Sequence, residues 1–408
     1  MPAVGKSPPH YGWVIVAAGT LTVFACLGLG RFALGMLLPS MGVSLGLSYA
    51  EMGYISTANF IGYLTAVVVA AAMIRRLGER GTILAGLLLV AVSMMLVSQA
   101  DSFIEVLVLY VLTGMGSGAA NVPIMALVSH WFVRRYRGKA AGYMVVGSGL
   151  GIILTGVLVP AVNAAAGIEG WRVNWLILGI VVLVTATVCG LLLRNRPAEK
   201  ELAVYGEEPA ADTAASTPPP PSDAARRRVL AHLGAIYFLF GATYVIYVTF
   251  IVTAMVQERG MSEAAAGQFW IWLGVLSLLS GPVFGTLSDR IGRKGGLITV
   301  FALQMTAYIL VAAPLGPVFL YLSIALFGIA AWSIPSIMAA AVGDTMGPEH
   351  AAAGFGTITL IFGIGQIIGP AAAGAAADVT GSFSISFALA AVLAALAIAL
   401  ALLLRKPG

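Results

Sequence analysis

Long apolar runs dominate this chain, and short polar segments separate them. Only residues 194–228 form an extended hydrophilic stretch, and it divides the chain into two apolar halves. A helix needs about 20 apolar residues to cross the hydrocarbon of a bilayer, so each half has room for six spans. We expect spans at residues 12–39, 50–73, 82–100, 103–130, 140–166, 171–193, 229–256, 264–287, 296–314, 317–342, 352–377 and 381–404. The runs lack the polar and apolar alternation of a barrel wall, so an all-α membrane protein is predicted.

The composition and the charge distribution support a membrane protein with both termini in the cytoplasm. Charged residues make up 10% of the chain and hydrophobic residues 60%, whereas soluble domains carry about 25% charged residues. All but three of the 22 Lys and Arg residues fall on one side of the predicted topology, and the exceptions are Arg31, Arg172 and Arg259. Basic residues near span ends are retained in the cytoplasm. The net charge of +5 therefore reflects orientation in the cytoplasmic membrane, and no nucleic-acid partner is expected.

The two halves resemble one another. Residues 71–80 (AAMIRRLGER) align with residues 285–294 (GTLSDRIGRK) at an offset of 214, and each segment joins the second and third spans of its half. We therefore divide the chain into a six-helix bundle at 1–193, a flexible cytoplasmic linker at 194–228, and a second six-helix bundle at 229–408. Duplicated halves suggest a solute site at their interface that opens alternately to each side.

Residues 285–294 carry a motif that identifies a family. The pattern G-x-L-x-D-R-x-G-R-K between two spans resembles the cytoplasmic signature of the major facilitator superfamily. This resemblance implies the major facilitator fold, with twelve transmembrane helices in two pseudo-symmetric six-helix bundles. It also implies that the loop is a conformational latch between the halves, formed by Gly285, Asp289, Arg290, Gly292 and Arg293. The alternative is an ordinary basic loop with a chance Asp-Arg pair, and the first-half copy has Arg75 where the signature has the acid.

Shorter motifs point to a subfamily. HYGW at residues 10–13, WF at 131–132 and GWR at 170–172 resemble bacterial relatives of monocarboxylate transporters and oxalate/formate exchangers. These relatives often carry a charged residue in the eighth or eleventh span that binds a carboxylate, and this chain lacks one there. Arg31, the single arginine that the predicted topology leaves inside the hydrocarbon, balances one negative charge. A small or aromatic monocarboxylate therefore fits better than a dicarboxylate.

Arg31 is the basic residue that the predicted topology leaves inside the hydrocarbon. A charge there costs at least about 2.5 kcal/mol and is seldom retained without a function. The planar guanidinium matches a carboxylate in bidentate geometry, so Arg31 predicts an anionic solute. The alternative is a structural arginine that binds helix-end carbonyls or a partner such as Asp378.

The acidic residues limit the ways in which transport could be coupled. All 17 Asp and Glu residues fall at span ends or in loops, whereas proton-driven exporters and sugar importers of the superfamily usually rely on a carboxylate within the membrane. Asp378 is the proton-coupling candidate that we retain. Proton symport and exchange of one anion for another both remain open.

Other polar and aromatic residues near the middle of predicted spans are candidates for binding the solute. They lie in the fourth, seventh, tenth and eleventh spans, and they are Asn121, Tyr244, Tyr247, Trp332 and Gln366. Each could instead pack between helices or hydrogen-bond across them.

The sequence thus predicts a secondary active transporter that moves a small organic anion by alternating access. We expect a monomer in contact with membrane lipid and no cofactor or metal. No nucleophile with its base, phosphate loop or metal spacing indicates an enzyme. The alternatives are a proton-coupled exporter of a neutral or cationic small molecule and a membrane sensor that transports nothing.

Overall fold

The protein is almost entirely helical in a computed structural model that describes residues 10–206, 223–346 and 350–404. The α-helices are α1 Gly12–Val23, α2 Ala33–Leu45, α3 Tyr49–Val97, α4 Phe103–Trp131, α5 Arg134–Ala166, α6 Gly170–Leu192, α7 Asp223–Thr253, α8 Glu263–Ala312, α9 Pro317–Ala330, α10 Ser333–Met346, α11 Ala351–Thr380 and α12 Ser384–Leu402. Two π-helical segments, Phe24–Phe32 and Ala254–Glu258, and two 3₁₀ turns, Gly167–Glu169 and Pro197–Lys200, complete the helical elements. Within these ranges the extended structure is one isolated bridge between Phe132 and Tyr205, so the predicted all-α class is confirmed.

Nine helical stretches in the described ranges are long and apolar enough to cross a membrane, where the sequence predicted twelve separate spans. Three of the nine are about twice the length of a single crossing, at 49, 59 and 50 residues, and each is interrupted. Gly78 and Gly292 have non-helical backbone inside α3 and α8, and the turn Gly167–Glu169 separates α5 from α6. Glycine is suited to these breaks because it adopts positive φ at little cost.

The break points follow the internal repeat. Gly78 has φ 70 and ψ 172, and Gly292, which lies 214 residues later, has φ 84 and ψ 157. The same offset relates two neighbouring contacts between an acidic and a basic residue, because Glu79 lies 3.8 Å from His130 while Arg293 binds Asp344 at 2.8 Å. The two halves thus keep the same backbone turn and place an acidic and a basic residue at equivalent positions, with the two types exchanged.

Close helix packing joins and stabilises the two halves. Within the first half, a Cβ atom at Gly28 would lie 2.9 Å from the Gly151 Cα atom, so these glycines let the first span and α5 approach at backbone distance. Between the halves, α3 packs against α11 and α5 packs against α8. For example, a Cβ atom at Gly53 would meet the Pro370 carbonyl oxygen at 2.3 Å. Small residues at such crossings let backbones approach closely inside a membrane.

Candidate functional site

Arg31 lies near the end of the π-helical segment Phe24–Phe32, close to the interface between the halves. A π-helical turn disturbs the regular bonding of the backbone carbonyls, and here side chains from α3 and α4 bind three of them. The Ser117 hydroxyl donates to the Cys26 carbonyl at 2.7 Å, and the Tyr110 hydroxyl donates to the Arg31 carbonyl at 3.1 Å. The Asn59 amide donates to the Gly30 carbonyl at 3.3 Å. Neighbouring helices therefore fix the segment that presents Arg31, and π-helical turns of this kind are frequent at functional sites.

Aromatic rings hold the guanidinium of Arg31. Its Cζ atom lies 4.5 Å from the Phe60 ring centroid and 4.4 Å from that of Tyr63. Its Nε donates to the Asn59 amide oxygen at 3.4 Å, while Nη2 is buried and has no hydrogen-bond partner among the described residues. Cation–π contacts stabilise the charge by about 0.5–2 kcal/mol each without neutralising it.

No Asp or Glu of the described ranges forms an ion pair with Arg31. Asp378 would be one partner of Arg31 if Arg31 had only a structural role. Asp378 is exposed and lines a separate cleft with Tyr49 and Gln257. A narrow void beside Arg31 leaves only ≈ 10 Å³, enough for one water-sized group, between Gly35, Ser56 and Thr249. The positive charge is thus partly buried, has no carboxylate partner among the described residues and lies beside a small void.

Three residues of the second half that the sequence predicted for the site, Tyr244, Trp332 and Gln366, lie close to Arg31. The Gln366 amide donates to the Tyr244 hydroxyl, and the Tyr244 ring packs edge-on against Trp332 at 5.8 Å. The Trp332 ring lies 5.0 Å from the ring of Phe32, the neighbour of Arg31. Arg31 also exerts an electrostatic influence on the Tyr244 hydroxyl. Arg31, Tyr244, Gln366 and Trp332 therefore form one cluster across the interface.

The remaining predicted residues lie elsewhere or make indirect contact. Asn121 reaches Arg31 through Tyr63, because its amide donates to the Tyr63 hydroxyl at 2.8 Å. Tyr247 is turned into the second half, where its hydroxyl bonds Ser323 at 2.8 Å and its ring stacks on Phe327 at 4.0 Å. The structure therefore does not bring Tyr247 together with Arg31.

Sequence reasoning missed Asn59, Phe60 and Tyr63, the residues that hold Arg31. They lie in the second predicted span, whereas the candidates for binding the solute came from the first, fourth, seventh, tenth and eleventh spans. Their spacing of i, i+1 and i+4 places Asn59 and Tyr63 on one helix face and is a signal that was available.

The halves are joined by hydrogen bonds on one side of Arg31. We call this side the Glu263 end. The Asn163 amide donates to the Glu263 carboxylate at 2.7 Å, the Gln257 amide donates to the Pro39 carbonyl at 3.2 Å, and the Thr57 hydroxyl donates to the Ile367 carbonyl at 2.8 Å. The Ser56 and Thr249 hydroxyls bond each other at 3.1 Å. The Glu263 end is thus closed.

The opposite side, which we call the Asp289 end, is different. In the part of the chain that the structure describes, no hydrogen bond joins the halves there. Cβ atoms added at Gly142, Gly285 and Gly356 would meet nothing within 4 Å. The interface therefore loosens from Arg31 toward this end.

The predicted latch residues lie at the Asp289 end and bond within their own half. Arg293 binds Asp289 on the same helix and Asp344 on α10, and its guanidinium also donates to the Ser288 hydroxyl. Arg290 is exposed, Gly292 forms the break in α8, and Gly285 faces open space. In this conformation Asp289 makes no described contact with the first half, so a latch across the interface stays a prediction.

Comparison with known proteins places the chain among transporters. The sequence profile of a family described as "Uncharacterised MFS-type transporter YbfB" matches residues 23–402. The hexuronate transporter of Bacillus subtilis (strain 168) is 26% identical over 272 residues, which cover 65% of this chain and 62% of that protein. The match thus spans less than two thirds of that relative. Monocarboxylate transporter 2 of Homo sapiens is 21% identical over 403 residues, which cover 92% of this chain and 82% of that protein.

A solved structure shows the same fold. The bacterial homologue of the human lysosomal transporter Spinster, in an inward-facing and unoccupied conformation, superimposes with a TM-score of 0.74 at 16% identity. The superposition covers 98% of this chain and 97% of that one. At this level of identity the similarity concerns the fold alone.

Proposed function

The chain belongs to the family of MFS-type transporters whose profile spans residues 23–402, and from this premise we propose that it transports a small organic anion, a monocarboxylate, by alternating access. The observation that carries the proposal is the guanidinium of Arg31, which is partly buried at the interface of the halves, with its Nη2 atom fully buried, and has no carboxylate partner among the described residues. Desolvating such a charge is costly, and a solute carboxylate offsets this cost by two charge-assisted hydrogen bonds.

The surrounding residues suit one carboxylate on a small organic body. Gln366 and Tyr244 are already bonded to each other, and the remaining walls are the rings of Phe32, Phe60, Tyr63 and Trp332. Arg31 is the one basic side chain among the described residues of this cluster, so a second anionic group on the solute would have no cationic partner there. The names of two relatives, a monocarboxylate transporter of Homo sapiens and a 4-hydroxybenzoate transporter of Pseudomonas putida, are consistent with this class of solute.

We further propose that the nine apolar stretches cross the membrane twelve times. The three stretches of 49, 59 and 50 residues exceed the thickness of the hydrocarbon about twofold, and their breaks lie near the midpoints. The resulting halves are the predicted bundles 1–193 and 229–408, with the linker 194–228 and both termini in the cytoplasm. In this topology the closed Glu263 end is external and the Asp289 end faces the cytoplasm.

The coupling mechanism that we propose is proton symport or anion exchange. The carboxylates around the external closure, Glu263 and Asp378, are the groups through which a proton would act. Exchange of one anion for another needs neither of them, because Arg31 is neutralised by a solute in both directions of transport.

The experiment is equilibrium binding and proteoliposome uptake with a panel of acetate, lactate, benzoate and 4-hydroxybenzoate. Arg31→Lys keeps the charge but loses the planar fork, so it should bind weakly, and Arg31→Gln should lower affinity about 10- to 100-fold. Arg172→Gln is the matched control, since Arg172 also stacks on an aromatic ring, Trp171, but already binds Asp101 and Glu169. That control should lower the melting temperature and leave affinity unchanged.

Two outcomes would contradict the proposal. One is wild-type affinity for an anionic solute in folded Arg31→Gln protein, with a melting temperature measured on the same preparation. The other is a wild-type protein that binds no member of the panel but accumulates a neutral or cationic compound.

A further inference from the structure

Two buried hydrogen-bond donors near the interface lack partners in the described part of the chain. One is Nη2 of Arg31 and the other is the indole Nε1 of Trp332. Guanidinium and indole N–H groups can only donate, so no rotation of either side chain turns it into an acceptor. Nearly all buried polar groups in native proteins are bonded, and an exception requires an explanation.

The two donors belong to residues of different halves that are linked through shared neighbours. The ring of Trp332 contacts Phe32, which follows Arg31 in the chain, at a centroid distance of 5.0 Å. Its edge contact with Tyr244 adds a second link, because the Tyr244 hydroxyl lies within electrostatic reach of Arg31. That hydroxyl accepts a hydrogen bond from Gln366 and also lies within hydrogen-bonding reach of the Arg31 side chain, yet Nη2 of Arg31 and Nε1 of Trp332 have no described partner.

Trp332 also occupies a special position in the backbone. It lies between the end of α9 at Ala330 and the start of α10 at Ser333, and its backbone N–H donates to the Ser280 hydroxyl at 2.9 Å. The indole is therefore carried on an interruption between two helices that α8 holds in place. A residue at such a joint can move relative to the first half when the interface changes.

We propose that one carboxylate group of the solute accepts hydrogen bonds from Arg31 Nη2 and from Trp332 Nε1 together. This inference rests on the proposed function, because it assumes that the solute is an anion bound by Arg31. Trp332 is then the residue through which the second half recognises the charge, and the bound solute joins the two halves directly. The solute must present two acceptor oxygens on one planar group, as a carboxylate does.

This arrangement selects carboxylates against their amides. A primary carboxamide has the same shape, but its NH₂ group would face one of the two donors and leave that donor unbonded. Sites built from buried hydrogen-bonding groups reject mismatched analogues strongly. Benzoate should therefore bind and benzamide should not, and the same should hold for lactate and lactamide.

The test compares Trp332→Phe with Trp171→Phe. Trp332→Phe keeps an aromatic ring and removes the indole donor, and it should weaken benzoate or lactate binding about tenfold or more. Trp171 is the matched control, because its indole nitrogen is also buried without a described partner but lies on α6, beside Arg172. Trp171→Phe should retain wild-type affinity.

A second measurement separates this role from simple packing. The ratio of carboxylate to carboxamide affinity should fall in Trp332→Phe protein, whereas a loss of packing would weaken both ligands alike and leave the ratio unchanged. Melting temperatures on the same samples establish that the variant is folded.

The outcomes distinguish this inference from the proposed function. If Arg31→Gln abolishes carboxylate binding and Trp332→Phe binds like wild type, the shared carboxylate is wrong and the anion site of Arg31 stands. If Arg31→Gln binds normally, both proposals fail. An unchanged carboxylate-to-amide ratio in Trp332→Phe protein would also overturn the inference.

Discussion

The two ends of the interface differ in what holds the halves together. At the Glu263 end, backbone meets backbone at Gly53 and Pro370, and side chains such as Asn163 and Glu263 bond across the gap. At the Asp289 end, the charged groups bond within the second half, and the glycines face open space. One end is therefore closed by shape and hydrogen bonds, while the other holds charges that make no described contact across the interface. Substitutions at the two ends should shift the conformational equilibrium in opposite directions.

The largest effect is expected from Gly53→Ala. A Cβ atom there would lie 2.3 Å from the Pro370 carbonyl oxygen, and backbone cannot yield to it without separating α3 from α11. Overpacking of this kind destabilises the closed conformation by about 1–3 kcal/mol. The equilibrium should therefore shift roughly tenfold toward the conformation that is open at the Glu263 end. Labelling of a single cysteine placed at Gln257 should become faster.

Gly356→Ala is the control for this prediction, because its Cβ atom would meet nothing within 4 Å. It should leave labelling at both ends unchanged. Equal labelling rates for Gly53→Ala and wild type would show that the glycine contact does not hold the end closed.

A smaller shift in the same direction is expected from Glu263→Gln. The Asn163 amide donates to this carboxylate at 2.7 Å, and among the described residues this is the cross-half hydrogen bond that involves a charged group. Replacing a charge-assisted bond by a neutral one should cost about 1 kcal/mol, a population change of roughly fivefold. Asp101→Asn is the control, since Asp101 is exposed and pairs with Arg172 inside the first half.

Asp289→Asn should act in the opposite direction and more weakly. In the present conformation Asp289 pairs with Arg293 on its own helix, and exposed pairs contribute about 0–1 kcal/mol. If Asp289 bonds across the interface in the alternative state, its removal favours the conformation closed at the Glu263 end. Cysteine reporters on the two faces should then label faster at the Asp289 end. Identical accessibility on both faces would argue against a latch.

The smallest effect is expected from lowering the pH, and it concerns the contacts of Glu169 at the closed Glu263 end. Hydrogen bonds from Arg172 and Ser44 hold the pKa of Glu169 below its ordinary value. A lowered pKa stabilises the fold above the ordinary carboxylate range, and this contribution is lost only as pH falls through the lowered value. Changing the pH from 7 to about 5 should therefore leave the Glu169 contacts intact, and Glu169→Gln protein should show the same melting-temperature change over this interval as wild type.

Sequence reasoning located Arg31 because an uncompensated charge inside an apolar run is a strong one-dimensional signal. It also located the breaks in α3 and α8, since the glycines of the repeated loops, Gly78 and Gly292, stand at equivalent positions. It did not locate the side chains that hold Arg31. Which face of a helix points to the interface depends on the rotation of the helix about its axis, and packing against neighbours sets that rotation.

Tyr244 and Tyr247 illustrate this limit. They are three residues apart on α7 and looked equivalent in the sequence, yet Tyr244 lies beside Trp332 while Tyr247 packs on Phe327. The π-helical segment that contains Arg31 could not be predicted from the sequence either, because its carbonyls are bonded by residues 29 to 91 positions away. Asn163 and Glu263 lie 100 positions apart in the sequence, and only the folded structure brings them together.

The aromatic support of Arg31 has an electrical consequence. Phe60 and Tyr63 stabilise the cation without cancelling it, so under the proposed function the empty site carries a full positive charge and the site with a monovalent anion carries none. A membrane potential of 100 mV acts on a moving unit charge with about 2.3 kcal/mol, in proportion to the share of the field that it crosses. Voltage would then act on any movement of the empty site, a step that anion exchange avoids, while a site loaded with the anion alone would cross the field as an electrically neutral unit.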